Sequence, residues 1–178
     1  MLNKLIFFIL FLPLSELKTP PPGTVFLSDN IYIDNNDITV LDWKEYVMLE
    51  LRNHNKPFYP DTNFYIDGIN YYNSKNFDDK PVYFVSYKAI EAYTKWRTDF
   101  INSKLSSFSN KSRCRGKFYV KNHKKDISVL YRIAKESEYL QAINLGIITK
   151  SKFPNLFLGG KDKREIATFR CVAEVYFN

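Results

Sequence analysis

The 178-residue chain is poor in the side chains that build metal centres and disulfide scaffolds, since it contains two cysteines and two histidines. Two cysteines exclude a disulfide-dense scaffold and a four-cysteine zinc ribbon. His54 and His123 lie in different segments, and neither has a second histidine four residues away or a cysteine pair nearby. We therefore predict no metal site and no cofactor.

Glycine, proline and long apolar runs are also scarce. Six glycines and eight prolines are too few for a collagen-like or flexible repeat chain. Apolar residues make up 45% and charged residues 25%, which is the balance of a folded globular protein, and the length fits one domain. No run approaches the roughly 20 apolar residues that a membrane-spanning helix needs.

Residues 1–18 have the pattern of a secretory signal peptide. Lys4 precedes about ten apolar residues, Leu5 to Leu14, which are too few to span a membrane but fit the core of a signal. No cysteine follows them, so a lipoprotein anchor is not expected. We predict that residues 19–178 form one secreted or periplasmic domain. A buried apolar strand or an uncleaved anchor is the alternative for the leader.

Local patterns predict two helices and several short strands. Thr39 is expected to cap a first helix, in which Trp43, Tyr46 and Val47 form an apolar face. Ser86 is expected to cap a second helix and not to act as a nucleophile, because no G-x-S-x-G frame surrounds it. The apolar stripe of that helix is Ala89, Tyr93, Trp96 and Phe100. The strand candidates are residues 25–33, broken by a turn at 28–30, and residues 81–85, while residues 19–23 read as an extended proline-rich leader.

Positive charge is concentrated in residues 103–126, which carry eight basic residues and one acid and so equal the +7 of the whole chain. We treat this stretch as a basic insertion. Its candidate binding residues are Arg113, Arg115, Lys117 and Lys121. In a secreted protein the expected target is an anionic glycan or the acidic surface of a partner. Single-stranded nucleic acid, which basic and aromatic residues can bind together, is disfavoured, and a solvated loop is the alternative.

Aromatic residues make up 17% of the chain, with a dense group between residues 57 and 77. The candidate contact residues there are Tyr59, Phe64, Tyr65, Tyr71 and Tyr72. If these side chains are exposed, they form a patch for protein or sugar, because tyrosine combines a rigid area with a polar tip. If they are buried, they form the core of an irregular region. The sequence leaves both alternatives open.

Five segments, in order along the chain, resemble motifs of the sulfatase-modifying-factor family, whose founding members are formylglycine-generating enzymes. They are residues 21–26 (PPGTVF), 32–46 (beginning YID), 81–97 (beginning PVYFVSY), 131–142 (YRIAKESEYLQA) and 169–171 (FRC). The wording of residues 59–62 and 95–99 is most similar to the gliding-motility and secretion-associated branch in Bacteroidetes-type bacteria.

The resemblance implies an α+β fold of the C-type-lectin-like type, with two main helices on small mixed sheets and much irregular chain. It implies structural roles for the matching residues, including ion pairing of the glutamates with an arginine. These residues are Thr39, Trp43, Ser86, Tyr93, Trp96, Arg97, Arg132, Glu136, Glu138, Phe169 and Arg170. Lys135 stands where the family has a capping threonine, so this helix start is expected to have lost the family's geometry.

The chain lacks the catalytic cysteine pair of the family. The family's enzymes bind Cu(I) through two cysteines five positions apart, and soft thiolate ligands select that ion. Here Cys114 and Cys171 lie 57 positions apart, and the stretch between the fourth and fifth segments is much shorter than in the family. The two cysteines either form a disulfide, worth about 4 kcal/mol, or remain free.

We therefore predict no catalytic residue. The expected function is that of a non-catalytic binding or scaffold component of the cell envelope, which the resemblance links to gliding motility or protein secretion. The expected partner is an envelope or secretion-system protein, or an anionic glycan. Two alternatives stay open: a divergent formylglycine-generating-type modifying enzyme, and a carbohydrate-binding lectin-like module.

Overall fold

The computed structural model describes residues 20–109, 127–149 and 168–177, and there the chain has an α+β fold with three helices and small antiparallel sheets. In chain order the elements are β1 (Thr24–Ser28), β2 (Ile31–Asp34), α1 (Val40–Arg52), β3 (Tyr65–Ile66), β4 (Ile69–Asn70), α2 (Tyr87–Ser109), β5 (Ile127–Ile133), α3 (Glu136–Asn144) and β6 (Cys171–Phe177). The predicted α+β class is confirmed. The signal-like leader and residues 110–126 of the basic insertion lie outside the described residues.

Four strands form one antiparallel sheet in the order β1–β2–β6–β5. β6 lies at its centre, where Ala173 is opposite both Tyr32 of β2 and Tyr131 of β5. β3 and β4 form a separate hairpin, whose Asp67 and Gly68 have φ of 51° and 75°, as a type I′ turn requires. The prediction of mixed sheets is wrong, because each strand pair in the described part of the chain runs antiparallel.

The predicted starts of the two main helices are confirmed. Thr39 Oγ1 accepts a hydrogen bond from Asp42 N at 3.1 Å, and Asp42 Oδ2 accepts one from Thr39 N at 2.8 Å. α1 therefore begins with a capping box, which satisfies two backbone donors that the first helical turn leaves free. Ser86 Oγ accepts from Ala89 N at 3.2 Å and caps α2 in the same sense.

Two local predictions are wrong. The extended leader predicted for residues 19–23 does not hold over its described part, residues 20–23, because the buried Pro21 accepts a hydrogen bond from Thr24 N at 3.1 Å and closes a turn. Gly23 has φ of 77° in this turn, which is the position where a type II turn needs glycine. Residues 81–85 are not a strand, since Pro81 forms only an isolated bridge and Phe84 has φ of 57°, which an extended strand does not allow.

The start of α3 keeps part of the capping geometry that Lys135 was expected to remove. The Lys135 side chain makes no capping hydrogen bond, as its chemistry predicts. However, Glu138 Oε2 still accepts from Lys135 N at 2.7 Å. The carboxylate half of a capping box is therefore present at this position without the threonine.

The two faces of the four-stranded sheet carry separate cores. On one face, α1 and α2 pack Trp43, Tyr46 and Ile90 against alternate residues of β5 and β6. On the other face, α3 and the turn after it cover Ile33 and Val172. The sheet is thus a middle layer, and α3 is needed to close its second side.

α2 also protects the outer edge of β5. Asn102 Oδ1 accepts from Val129 N, and Asn102 Nδ2 donates to Val129 O, both at 2.9 Å. One turn earlier, Thr98 Oγ1 accepts from Tyr131 N at 2.9 Å. Unpaired groups at a sheet edge invite pairing with another chain, so these two side chains take the place of a fifth strand.

Asn102→Ala should lower the free energy of unfolding by about 1–3 kcal/mol, because it leaves the part-buried Val129 N–H and C=O groups without partners. Urea denaturation measures this loss. Glu91→Ala, at an exposed position of the same helix, is the control and should change stability by less than about 0.5 kcal/mol. Equal stability of the two variants would contradict the edge-protection role.

Candidate functional site

The residues that carry the family resemblance meet around one buried ion pair. Arg97 of α2 donates from Nη1 and Nη2 to the two carboxylate oxygens of Asp34 at 2.9 Å and 2.8 Å. Arg97 Nη2 also donates to Pro22 O at 3.0 Å, and Cys171 N donates to Asp34 Oδ2 at 2.8 Å. Burial raises the pKa of the Asp34 carboxyl, and Arg97 and the Cys171 amide oppose that rise. The pair therefore joins β2, α2, the proline turn and β6.

Arg170 is the second of three arginines that pair with carboxylates in the described part of the chain. Its Nε donates to Asp37 Oδ1 at 2.6 Å, and both side chains are almost wholly buried. Nη1 donates to the carbonyl oxygens of Asp34 and Asn35, and Nη2 to that of Thr149. Four of the five guanidinium N–H groups donate in this way, so Arg170 joins the start of β6 to the segment after β2 and to Thr149.

Arg132 forms the third pair, at the start of α3. Its guanidinium donates to both carboxylate oxygens of Glu138, at 2.8 Å and 2.6 Å, and its Nε donates to Glu174 of β6. Burial acts to raise the pKa of the Glu138 carboxyl. The hydrogen bonds from Arg132 oppose this effect, and the net result is a lowered pKa. The predicted ion pairing of a glutamate with an arginine is thus realised by Glu138. Glu136 is exposed in the first turn of α3 and has no ion pair with any residue that the structure describes.

The aromatic residues of the resemblance form one packed cluster. The rings of Trp43 and Tyr93 stack with centroids 5.2 Å apart and planes 11° apart. Phe169 meets both edge-on at 6.1 Å and 5.9 Å, and Trp96 packs on Tyr46 at 5.4 Å. These contacts join α1, α2 and the segment before β6, so the cluster is part of the core.

Removing one member of the central pair should be costly. Arg97→Met leaves the Asp34 carboxylate buried without its partner, so we expect a loss of about 3–5 kcal/mol in the free energy of unfolding. The double variant Asp34→Asn with Arg97→Met should lose less than the sum of the two single variants, because it buries no uncompensated charge. Lys95→Met, at an exposed pair on the same helix, is the matched control and should leave stability nearly unchanged, because exposed ion pairs contribute little. Additive losses would contradict the coupling.

Cys171 is a free thiol with no exposed surface, at the first position of β6. Burial raises the pKa of this thiol, and the neighbouring Asp34 carboxylate raises it further. Because the thiolate is the nucleophilic and metal-binding form, Cys171 at neutral pH behaves as a core side chain. Cys114, its candidate disulfide partner, lies outside the described residues, so that pairing stays a prediction.

Cys171 should resist alkylation in the native protein and react fully once the chain is unfolded. The measurement is iodoacetamide labelling near pH 8 with peptide mapping, with Cys114 followed in the same sample. Unfolding with and without a reductant separates burial from disulfide formation, since a disulfide blocks both cysteines until it is reduced. Native labelling of Cys171 at the rate seen in the unfolded chain would contradict its burial.

The aromatic candidates divide between core and surface. Tyr71 and Tyr72 are buried, and Phe64 is half-buried among other rings of residues 58–84. Tyr59 and Tyr65 are 52% and 56% exposed. The core alternative therefore holds for part of this set, and the surface alternative for Tyr59 and Tyr65. Tyr65 lies in β3, on a hairpin apart from Tyr59.

A groove of about 520 Å³ lies where this aromatic segment meets α1. Its lining residues are Lys44, Val47, Met48, Leu51, Arg52, Tyr59 and Tyr72. Lys44 Nζ lies 2.6 Å from Asp78 Oδ1 and 5.7 Å from the centre of the Tyr72 ring. Burial raises the pKa of Tyr72 to about 12, and Tyr59 adds to the rise, so the Tyr72 hydroxyl is neutral. The groove is an apolar surface edged by cations.

Sequence reasoning found Tyr59 and Tyr72 but missed the helical wall of the groove. Met48 and Leu51 are 45% and 52% exposed, and Leu41 is exposed on the same side of α1. Their spacing of seven and three residues is a helical pattern that the sequence contains. This second apolar face does not stand out in the sequence, because Trp43, Tyr46 and Val47 already supply a full buried face for α1.

The remaining candidates lie elsewhere. Arg113, Arg115, Lys117 and Lys121 are outside the described residues, so the basic insertion stays a prediction. Within residues 20–109, 127–149 and 168–177, no three His, Cys, Asp or Glu side chains are placed to hold a metal ion. None of the described helices combines the length and the apolar composition needed to cross a bilayer.

No known protein family, curated protein or solved structure matches the chain. Over the residues that it describes, the structure establishes an α+β class with three helices and small antiparallel sheets. The finer assignment to a C-type-lectin-like fold and to a family is based on the sequence motifs.

Proposed function

We propose that this protein is a non-catalytic binding or scaffold component of the cell envelope, related to the sulfatase-modifying factors and serving gliding motility or protein secretion. Its contact surface is the α1 groove, the apolar surface formed by the lining residues given above. The observation that carries the proposal is the contiguous exposure of Met48, Leu51 and Tyr59 beside two cations. Large apolar side chains grouped in a concave surface mark interaction sites, whereas scattered ones do not.

The motif residues support a structural rather than a chemical role. Arg97, Arg132 and Arg170 each pair with a carboxylate at 2.8 Å or less. Groups held in such pairs are already neutralised and fixed, and Cys171 is protonated and enclosed. The motif residues thus serve here to join strands and helices, which supports the structural roles that the resemblance implies.

The exposed groove residues Met48 and Leu51 lie apart from these pairs, so they can change without loss of the fold. Both residues belong to the side of α1 that the core does not use. Methionine has three rotatable bonds and adapts to irregular apolar partners. A surface of this kind favours binding of another protein.

Site-specific crosslinking in envelope-containing cells tests the proposal. A photoreactive residue at position 48 should give one dominant protein adduct. The matched control is position 140, where Leu140 of α3 is 49% exposed, close to the 45% of Met48. Position 140 should give no such adduct.

Three outcomes would contradict the proposal. Equal crosslinking from positions 48 and 140 would remove the groove as the contact surface. Conversion of a cysteine-bearing sulfatase peptide to formylglycine by the purified protein with Cu(I) would make it an enzyme. Saturable binding on a glycan array, unaffected by Met48→Asp, would favour a carbohydrate-binding module instead.

A further inference from the structure

We propose that the occupant of the α1 groove is an acidic amphipathic helix of a partner protein, an inference that rests on the proposed function and names its partner class. The α1 seam, defined as Leu41, Lys44, Met48 and Leu51, would receive that helix. Helix-in-groove binding of this kind uses apolar anchors at three- and four-residue intervals.

The spacing of the α1 seam is that of one side of a coiled coil. Its four residues are separated by three, four and three positions, as are successive a and d positions of a heptad. The three apolar members are about half exposed, while α1 buries Val40 and Trp43 on its other side. The seam runs from Leu41 to Leu51, eleven residues, which is a rise of about 15 Å at 1.5 Å per residue. A partner helix of about three turns covers that length.

The groove provides a second wall for such a helix. Tyr59 is half exposed and the buried Tyr72 lines the same groove, so aromatic side chains stand beside Met48 and Leu51. A helix laid along α1 would contact both walls at once. Tyrosine supplies contact area with little loss of side-chain entropy, because it has two side-chain torsions.

The charged residues that line the groove indicate the chemistry of the partner. Both charged residues that line the groove, Lys44 and Arg52, are cations. Lys44 is paired with Asp78, whereas Arg52 forms no ion pair with any residue of the described part of the chain. The guanidinium group of Arg52 can take a carboxylate through two parallel hydrogen bonds. An acidic residue beside the apolar seam of the partner is therefore the complement.

A second copy of this chain fits the groove less well. Pairing α1 with α1 in parallel would set Lys44 of one copy against Lys44 of the other, since equivalent seam positions face each other in a parallel coiled coil. Like charges set face to face in an interface disfavour association. An acidic partner instead presents the opposite charge to Lys44 and Arg52.

The test uses three designed peptides of three heptads each. The first has leucine at a and d and glutamate at the flanking positions, the second has lysine in place of glutamate, and the third is a scrambled form of the first. Each is titrated against the full chain by fluorescence anisotropy. We expect the acidic helix to bind at least about tenfold more tightly than the other two, and less tightly as salt rises.

Two variants locate the binding. Met48→Asp should abolish binding of the acidic peptide, whereas Leu140→Asp on α3 should leave it unchanged. Arg52→Glu should weaken it by about tenfold, whereas Lys95→Glu, an equal change of charge at an exposed position of α2, should not. Circular dichroism of each variant verifies that it remains folded.

Each alternative outcome has a distinct meaning. Equal affinity for the acidic and basic helices, with both lost in Met48→Asp, would overturn the acidic partner but leave the groove as a binding surface. Absence of peptide binding together with a crosslink from position 48 would overturn the helical partner and retain the proposed function. A dimer in solution that Met48→Asp dissociates would replace the partner by a second copy. Peptide binding that ignores Met48→Asp would overturn the inference outright.

Discussion

The structure depends on the ion pair between Asp34 and Arg97. It is almost wholly buried, and its hydrogen bonds reach the proline turn, β2, α2 and the backbone of Cys171 at the start of β6. Segments that are more than sixty residues apart in sequence are thus held by one carboxylate and one guanidinium. Removing either charge alone leaves the other buried without a partner of opposite charge. Arg170 forms a similar buried pair with Asp37 just before β6. Arg132 forms pairs with Glu138 and Glu174 where β5 leads into α3.

The sequence predicted those parts of the fold that local chemistry decides. The caps at Thr39 and Ser86 follow from side-chain oxygens placed before apolar periodic segments, and both helices begin there. Prediction failed where distant contacts or unusual dihedral angles decide. Pro21 enters the core through a turn that needs positive φ at Gly23, and the positive φ of Phe84 breaks a segment whose composition favours a strand.

The candidate site shows the same limit. Tyr59 and Tyr72 could be picked out by composition, but their opposite exposures depend on how the irregular segment folds over α1. Met48 and Leu51 are ordinary helical residues in the sequence, and their role becomes visible only when the core is seen to use the other side of the helix. α1 therefore has two apolar faces. One holds the protein together, and the other is left for a partner.

Methionine footprinting of Met48 shows whether a partner covers the exposed apolar face of α1. The chain has two methionines, Met1 and Met48, so oxidation of the peptide Glu45–Arg52 reports on the α1 groove alone. The measurement compares this oxidation in purified protein and in protein kept within intact envelopes, with Tyr65 as a second exposed reporter. We expect ready oxidation of Met48 in the purified protein and strong protection in the envelope. Equal oxidation of Met48 in both states would contradict the proposal that a partner covers this face of α1.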